Sequence, residues 1–431
     1  MNGSSQQSGR TSGTELSQLT RSAGLTRSAG RGTPHLLAVG GEDHELRVPF
    51  LVAMRRAGFR ISAAGTGDPS HFEREGLAYF PFRFTRSANP LADLGSLSAL
   101  THIIDEIRPD IVQSFDTKPN ILVPLAARRA RATRIVRTIN GMGWLYSSNA
   151  PAALALRPVY RATNRLAARS TAATVFQNSE DKNFFERHRM VGSSLSRLIP
   201  GSGIDIDAQG SPAVTGASLA ALRRQLGLEG CDVVLTVARL SRQKGIPTLL
   251  EAAALVHATW PSVRFLLVGP REGEGRSAVT PAEIDAHAPY VIATGRRNDV
   301  PSLLALADVF AFPTEYREGV PRALLEAALA GLPIVASRMP GCTDVVEDGR
   351  TGLLVAPRAP RELAQALLHL LSDRPKGRAM GLLASDLVKR EFSLDRTVAR
   401  YKDLYDEILT GSVGLGHLPD AAGRAGLPEA I

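Results

Sequence analysis

The densest chemistry in the sequence lies in nine residues, Glu318-Gly319-Val320-Pro321-Arg322-Ala323-Leu324-Leu325-Glu326. Gly319, Val320 and Pro321 read as a loop turning into a helix over 321–330. Pro321 suits the first helical position, where a missing N–H costs nothing. A helix start exposes unpaired N–H groups and a partial positive charge, which suits a diphosphate. Gly319 lets a ligand approach the backbone closely, and the glutamates at either end can accept hydrogen bonds from sugar hydroxyls. A nucleotide diphosphate sugar fits this set. On spacing alone, two glutamates eight residues apart describe a capped surface helix better than a ligand site. Two cations change the balance. Arg239 and Lys244 follow an apolar run that ends at Val237, just ahead of another helical stretch. Arg239 offers a fork for phosphate oxygens and Lys244 a point charge.

Polar groups recur after apolar runs in the first half as well. Gly40-Gly41 could bring backbone amides to a phosphate or an acceptor, or form an ordinary turn. Asp116-Thr117-Lys118 and Asn140-Gly141 should line the same cleft, with Lys118, Asn140 and Gly141 on the acceptor side. Asp116 is the nearest candidate acid or base. Asn140 cannot act as a base, although it can hydrogen-bond a sugar hydroxyl. Gly269 and Gly295 close later apolar runs and are expected on the donor side.

The elements that must position these residues alternate regularly. Strands are expected over 35–39, 59–64, 110–115 and 134–139, with a helix over 121–132. The second half repeats the rhythm, with strands over 232–237, 263–268, 290–294, 309–312 and 333–336 and helices over 247–258 and 321–330. Strand-helix-strand repetition implies parallel pairing with right-handed crossovers. A chain of 431 residues is too long for one ordinary core. The expected division is a tail over 1–33, an acceptor-side Rossmann-like domain over 34–200 and a donor-binding Rossmann-like domain over 201–390. A helix over 391–410 should return toward the first domain, and a tail over 411–431 follows. Ligands of such sheets gather at the carboxyl ends of strands, near a switch in strand order.

Composition narrows the class further. Hydrophobic residues make up 44% and aromatics 5%, a balance that suits α/β layers better than a β-sandwich. Cys231 and Cys342 form no metal-spaced pair, so neither a disulfide framework nor a metal is expected, and a reducing cytoplasm fits. No apolar run reaches the ~18 residues needed to span a bilayer. The N-terminus lacks the apolar core of a signal peptide, and its tandem LTRSAG is too short for a repeat fold. Net charge is +3 over 1–34, +8 over 35–200 and −2 over 201–431. A basic first half can face an anionic membrane surface, a lipid diphosphate or a nucleic acid. Arg157, Arg161, Arg165 and Arg169 recur every four residues on an expected helix, as a basic stripe toward anionic lipid or as a solvated face.

Beyond these local readings, the chain resembles the family 4 glycosyltransferases of the GT-B fold, two Rossmann-like domains facing a cleft. The matching pieces are ARLSRQKG (238–245), LLVGP (266–270), G-x3-D-V (295–300), ADVFAFPT (307–314), EGVPRALLEA (318–327), GLPIVAS (331–337) and GCTDVVEDGRTGLLV (341–355). In the first half NPLADL (89–94), FDTKPNI (115–121), INGMGW (139–144), VFQNSED (175–181) and IPGSGID (199–205) are similar to the branch that builds bacterial capsule, O-antigen and related lipid-linked glycans. The resemblance spans about 35–408. It implies a hexose or N-acetylhexosamine moved with retention from a nucleotide diphosphate sugar, UDP-sugar favoured, to a polyprenyl-diphosphate-linked glycan. Neither metal nor cofactor is implied, and the setting would be the inner face of the plasma membrane. Arg239 and Lys244 match the diphosphate pair, Glu318 the acid at the donor sugar and Glu326 the acid at the ribose. Asn140 departs from the histidine that many members carry there. In a front-face reaction the leaving phosphate itself can take the acceptor's proton. An epimerase on the same fold would need turnover without an acceptor. A nucleic-acid-binding role would need aromatics interleaved with basic runs, and these are absent from the sequence. Gly40-Gly41 does not extend to the G-x-G-x-x-G of a dinucleotide oxidoreductase.

Overall fold

The computed structural model describes residues 32–41, 43–82, 84, 90–130, 132–206, 216–272 and 274–411. Most of the expected tails over 1–33 and 411–431, the LTRSAG tandem, Asn89 and residues 207–215 lie outside the described residues.

Two sheets form. The first holds β1 (His35–Val39), β2 (Arg60–Gly65), β3 (Ala78–Pro81), β4 (Ile111–Phe115), β5 (Arg134–Ile139), β6 (Ala173–Phe176) and β7 (Leu195–Leu198), in the order β3-β2-β1-β4-β5-β6-β7. The second holds β8 (Asp232–Val237), β9 (Val263–Val268), β10 (Val291–Gly295), β11 (Val309–Phe312), β12 (Ile334–Ser337) and β13 (Leu353–Val355), in the order β10-β9-β8-β11-β12-β13. Every ladder is parallel. The central strands β1 and β4 are buried along their whole length, as a sheet covered by helices on both faces requires. Each sheet separates two apolar layers, with Leu36 and Val136 on one face of the first and Leu37 and Val112 on the other.

The strand orders place the site. In the first sheet the chain winds outward from β1 to β3 and then returns to β4 on the other side of β1, so the switch point lies beyond β1 and β4. In the second sheet the switch lies beyond β8 and β11. Crevices at such points are where ligands of open α/β sheets bind. Gly40-Gly41 and Asp116 follow β1 and β4. Arg239 with Lys244, and Glu318, follow β8 and β11.

The final helix, Leu394–Thr410, leaves the second sheet and packs on the helix Val48–Arg56 of the first half. Tyr401 meets Phe50 at 5.0 Å between ring centroids, and Tyr405 meets Phe59 at 5.5 Å. The buried Tyr405 hydroxyl donates to Gln113 Oε1 of β4, which satisfies two polar groups inside the core.

Three local expectations change. The helix expected over 121–132 is Pro119–Ala126 followed by a short 3-10 turn, Ala127–Arg129. The Ala/Arg run has helical propensity, but the chain must turn into β5, where Arg134 N–H bonds the Asp110 carbonyl. Pro321 is not the first helical residue. It is the cap, with ψ 119, and the helix is Arg322–Leu329, because the Pro321 carbonyl receives the Leu324 and Leu325 amides. Arg157, Arg161 and Arg165 of the helix Pro151–Ala168, with Arg169 at its C-cap, do not form a common outward stripe. Arg157 donates to the Leu145 and Ser148 carbonyls, and Arg161 to the Tyr146 hydroxyl, so both bind the short helix Gly143–Ser147 instead.

Candidate functional site

The two halves meet backbone to backbone. At Gly141, φ 101, a side chain would lie 2.5 Å from the Arg317 carbonyl oxygen. At Gly341 it would lie 1.8 Å from the Gly319 oxygen. Only glycine permits this approach. The loop from β11 therefore threads a seam with Asn140-Gly141 on one side and Gly341 on the other.

Side chains lock the loop into the seam. Arg317 Nη2 lies 3.0 Å from Asp181 Oδ1, whose side chain is wholly buried, and the Arg317 amide donates to Ser147 Oγ at 2.8 Å. Asn178 Nδ2 donates to the Glu318 carbonyl at 3.0 Å, and Gln177 Oε1 accepts from the Val320 amide at 3.3 Å. Asn178 also caps the helix Ser179–Arg187 by accepting from Asp181 N–H. On the sequence, Gln177-Asn178 supports only a polar strand end and a helix cap; its grip on a loop 140 residues away has no local signature.

Within this loop Glu318 turns back into the second domain. Its Oε1 receives Lys244 Nζ and, at 3.2 Å, the Thr314 hydroxyl. Only 13% of the Lys244 side chain and 14% of the Glu318 side chain remain exposed. Lys244 also lies 5.8 Å from the ring centroids of both Phe312 and Tyr316. Its position rests on Gly245, φ 70, whose missing side chain admits the Pro313 carbonyl. Arg239 lies farther along the β8 loop, paired through Nη1 with Glu274 Oε1 at 2.5 Å. Asp43 of the first half and Glu318 both act on its charge electrostatically, so the guanidinium faces the seam. Glu274 is a partner that sequence reasoning missed; the acid-rich turn after Pro270 was its only signal.

The N-terminal wall is built around Asp116, which has φ 70. Its carboxylate accepts from the Gly41 amide at 3.0 Å, Asn140 Nδ2 at 3.2 Å and Arg47 Nη2 at 3.4 Å. Burial pushes its pKa up, but Arg47, the Gly41 amide, His44 and Asn140 outweigh that, and the net shift is downward. Arg47 is itself buried, 4.4 Å above the Phe115 ring. Asn140 keeps a buried Oδ1 with no hydrogen-bond partner among the described residues.

The remaining candidates fall in different places. Gly40 leaves room for the His44 ring, and the Gly41 amide is spent on Asp116. Lys118 pairs with Asp93 at 2.7 Å. Gly269 lets β9 close on the Ala238 carbonyl and donates to the Gly295 carbonyl at 2.9 Å. Glu326 accepts from Arg322 Nε at 2.8 Å on its own helix. The structure thus brings Glu318, Gly319, Val320 and Lys244 together with Asn140 and Gly141 at one seam, with Asp116 bonded behind Asn140. It gives Gly40 and Gly269 packing duties. Among the described residues, no group of three His, Cys, Asp or Glu side chains is arranged to hold a metal ion.

Comparison with known proteins finds two family models along the chain. Residues 50–208 match the model "Glycosyltransferase Family 4", and residues 231–373 match "Glycosyl transferases group 1". An N,N'-diacetylbacillosaminyl-diphospho-undecaprenol alpha-1,3-N-acetylgalactosaminyltransferase of Campylobacter jejuni is 25% identical, over 78% of this chain and 87% of its own. A UDP-Gal:alpha-D-GlcNAc-diphosphoundecaprenol alpha-1,3-galactosyltransferase of Escherichia coli is 27% identical, over 77% and 84%. In fold, the chain is similar to Anabaena Alr3699/HepE, solved in complex with UDP-glucose, with TM-score 0.71, 20% identity and 86% and 99% of the two chains covered. Sucrose-phosphate synthase of Thermosynechococcus elongatus gives TM-score 0.73 at 19% identity, covering 88% and 100%.

Proposed function

Because the chain belongs to the family 4 glycosyltransferases of the GT-B fold, we propose that it transfers a hexose or N-acetylhexosamine, with retention, from a UDP-sugar to a polyprenyl-diphosphate-linked glycan at the inner face of the plasma membrane. The carrying observation is the meeting of Lys244 and Glu318 with Asn140 and Gly141 at the seam where both switch points open. The Escherichia coli and Campylobacter jejuni relatives, whose names specify undecaprenol-diphosphate-linked acceptors, support the acceptor class.

In this reading the donor diphosphate lies between Arg239 and Lys244. Both cations have carboxylate partners without ligand, Glu274 and Glu318, so the diphosphate exchanges one anionic partner for another. Charge building on the departing diphosphate is met by preplaced cations, which act without reorganising solvent. No metal is needed for that task. Glu318, released from Lys244, is placed to hold donor-sugar hydroxyls, and Glu326 is assigned to the ribose. The unspent Asn140 Oδ1 accepts from a sugar hydroxyl on the other side. The bond from the anomeric carbon to the diphosphate oxygen breaks, and the acceptor oxygen bonds the same face. The acceptor's proton passes to the leaving diphosphate. Asp116, ionised and held by three donors, orients Asn140 and takes no proton.

A panel of UDP-, GDP- and ADP-sugars, scored by thermal stabilisation and slow hydrolysis, tests the donor. Transfer to a polyprenyl-diphosphate-linked sugar, with the product anomer read by NMR, tests the rest. The expected result is UDP-sugar binding and an α-linked product from an α-donor. Failure of every nucleotide sugar to bind, or turnover that ignores the acceptor, overturns the reading.

A further inference from the structure

Glu318 stands on a loop of the C-terminal domain whose backbone is fastened to the N-terminal domain. The loop runs from Pro313 to Pro321, between β11 and the helix Arg322–Leu329. At its start it bonds within its own domain, where the Glu315 amide donates to the Gln243 carbonyl. From Arg317 to Val320, every backbone hydrogen bond among the described residues crosses the seam. The Arg317 amide donates to Ser147 Oγ, Asn178 Nδ2 to the Glu318 carbonyl, and the Val320 amide to Gln177 Oε1. Gly319 is pressed so close that a side chain there would lie 2.1 Å from Gln177 Oε1.

This grip has one root. Asn178 and Asp181 lie at the start of the helix Ser179–Arg187 and bond each other twice. Asn178 Oδ1 accepts from the Asp181 amide at 2.7 Å, and Asn178 Nδ2 donates to Asp181 Oδ2 at 3.0 Å. The other carboxylate oxygen of Asp181 accepts from Arg317 Nη2 at 3.0 Å. Asp181 therefore acts on Glu318 twice. It aims Asn178 at the Glu318 carbonyl, and it anchors the arginine that precedes Glu318. The Asp181 side chain is wholly buried, and that of Arg317 is 20% exposed. Glu180 stands 3.4 Å from the same guanidinium but is 54% exposed. A buried ion pair contributes little net stability once desolvation is counted, and Arg317 Nε has no hydrogen-bond partner among the described residues. Stability alone does not account for the pair.

With the donor diphosphate bound as proposed, Lys244 leaves Glu318. The carboxylate then loses its charged anchor just when the sugar needs it. What remains is the Thr314 hydroxyl at 3.2 Å and the fastened backbone. We propose, on that donor reading, that Asp181 is a positioning residue for Glu318, acting through Asn178 and Arg317, so that the N-terminal domain completes the donor-sugar contact of the C-terminal domain. Misplacing a contact by about 1 Å can cost about 100-fold in rate. Arg239 and Lys244 lie outside the grip, so its loss should lower kcat and leave UDP affinity alone.

UDP binding is measured by calorimetry, and kcat on the fastest hydrolysed of UDP-glucose, UDP-galactose and their N-acetylamino counterparts. Asp181→Asn and Arg317→Met should each lower kcat at least about tenfold, with the Kd of UDP within about twofold of the parent. Arg317→Lys, which keeps the charge without the fork, should fall between. The double variant Asp181→Leu, Arg317→Met replaces the ion pair by apolar groups and should recover the parental urea midpoint that either single change lowers. Its kcat should stay low. A merely structural pair predicts the opposite, kcat returning with the midpoint, and that result overturns the proposal. So does a parental kcat in either single variant, whatever the double variant does in folding. The donor reading fails separately. A parent that binds no UDP and hydrolyses no UDP-sugar removes that reading, whereas a parent that does both, matched by its variants, removes only the positioning role.

Discussion

The two walls of the seam hold charge in opposite ways. On the C-terminal wall each cation has one carboxylate partner, Lys244 with Glu318 and Arg239 with Glu274. On the N-terminal wall one carboxylate, Asp116, is held by Arg47, Asn140 and a backbone amide, and Arg47 is buried. A single pairing can be exchanged for a ligand's phosphate at little net cost, because one anion replaces another. A carboxylate held by several donors cannot be exchanged piecemeal. The first arrangement suits binding and release, and the second suits a fixed wall.

The largest effect should fall on turnover. Lys244→Ala and Glu318→Gln should each lower turnover about 100-fold or more, as loss of a charged contact of ~3 kcal/mol implies. Near-parental rates in both variants would remove the donor assignment.

Asp116→Ala should be read first in stability. It leaves the Arg47 guanidinium buried with a hydrogen bond to the Asp43 carbonyl and no carboxylate partner among the described residues. Breaking a fully buried pair costs ~3–5 kcal/mol. Since 36% of the Asp116 side chain is exposed, about 2 kcal/mol is expected here, read from urea unfolding. An unchanged midpoint erases the contrast between the walls.

Acid should distinguish the halves next. His35 and His44 both lie in the N-terminal domain, and burial pulls each pKa from 6.5 down to about 3, with Arg60 and Arg47 adding to the shift. Unfolded, they take protons near 6.5; folded, they stay neutral until about 3. The stability they contribute is therefore complete above about pH 6.5 and is lost progressively as pH falls toward 3. Thermal unfolding between pH 7 and 5 should lower the N-terminal transition, and His44→Leu should flatten that slope. Equal slopes in parent and variant count against it.

The smallest effect concerns Glu274. Glu274→Gln removes the competitor for Arg239, which is 39% exposed, and a partly solvated pair is worth at most ~1 kcal/mol. UDP should bind up to about fivefold tighter by calorimetry. Weaker binding would instead make Glu274 a positioning group for Arg239.

Much of the fold was legible because it is written locally. β1, β4, β5, β8, β9 and β11 fall within a residue of the apolar runs that announce them. β3, β6, β7 and β13 escaped notice for physical reasons. β13 has three residues, β3 and β6 four each, and β7 is a half-exposed edge strand with no clear alternation. In the site, Arg239, Lys244 and Glu318 were legible because a cation or carboxylate after an apolar run is a local pattern. Arg47, Gln177, Asn178, Arg317 and Glu274 were not, since their partners lie far away in sequence.

The sequence by itself determined the alternation of strands and helices, the positions of the loops and the residue types offered there, together with the family they resemble. Those properties follow from periodicity and spacing over a few residues. Tertiary structure alone decided the strand orders that put four of those loops at two switch points. It also decided the glycine contacts that close the seam, and whether a given charge meets one partner or several. Strand order depends on ladders such as Leu36 beside Ile111, and the seat of the last helix on contacts as distant as Gln113 with Tyr405; no local pattern carries that information.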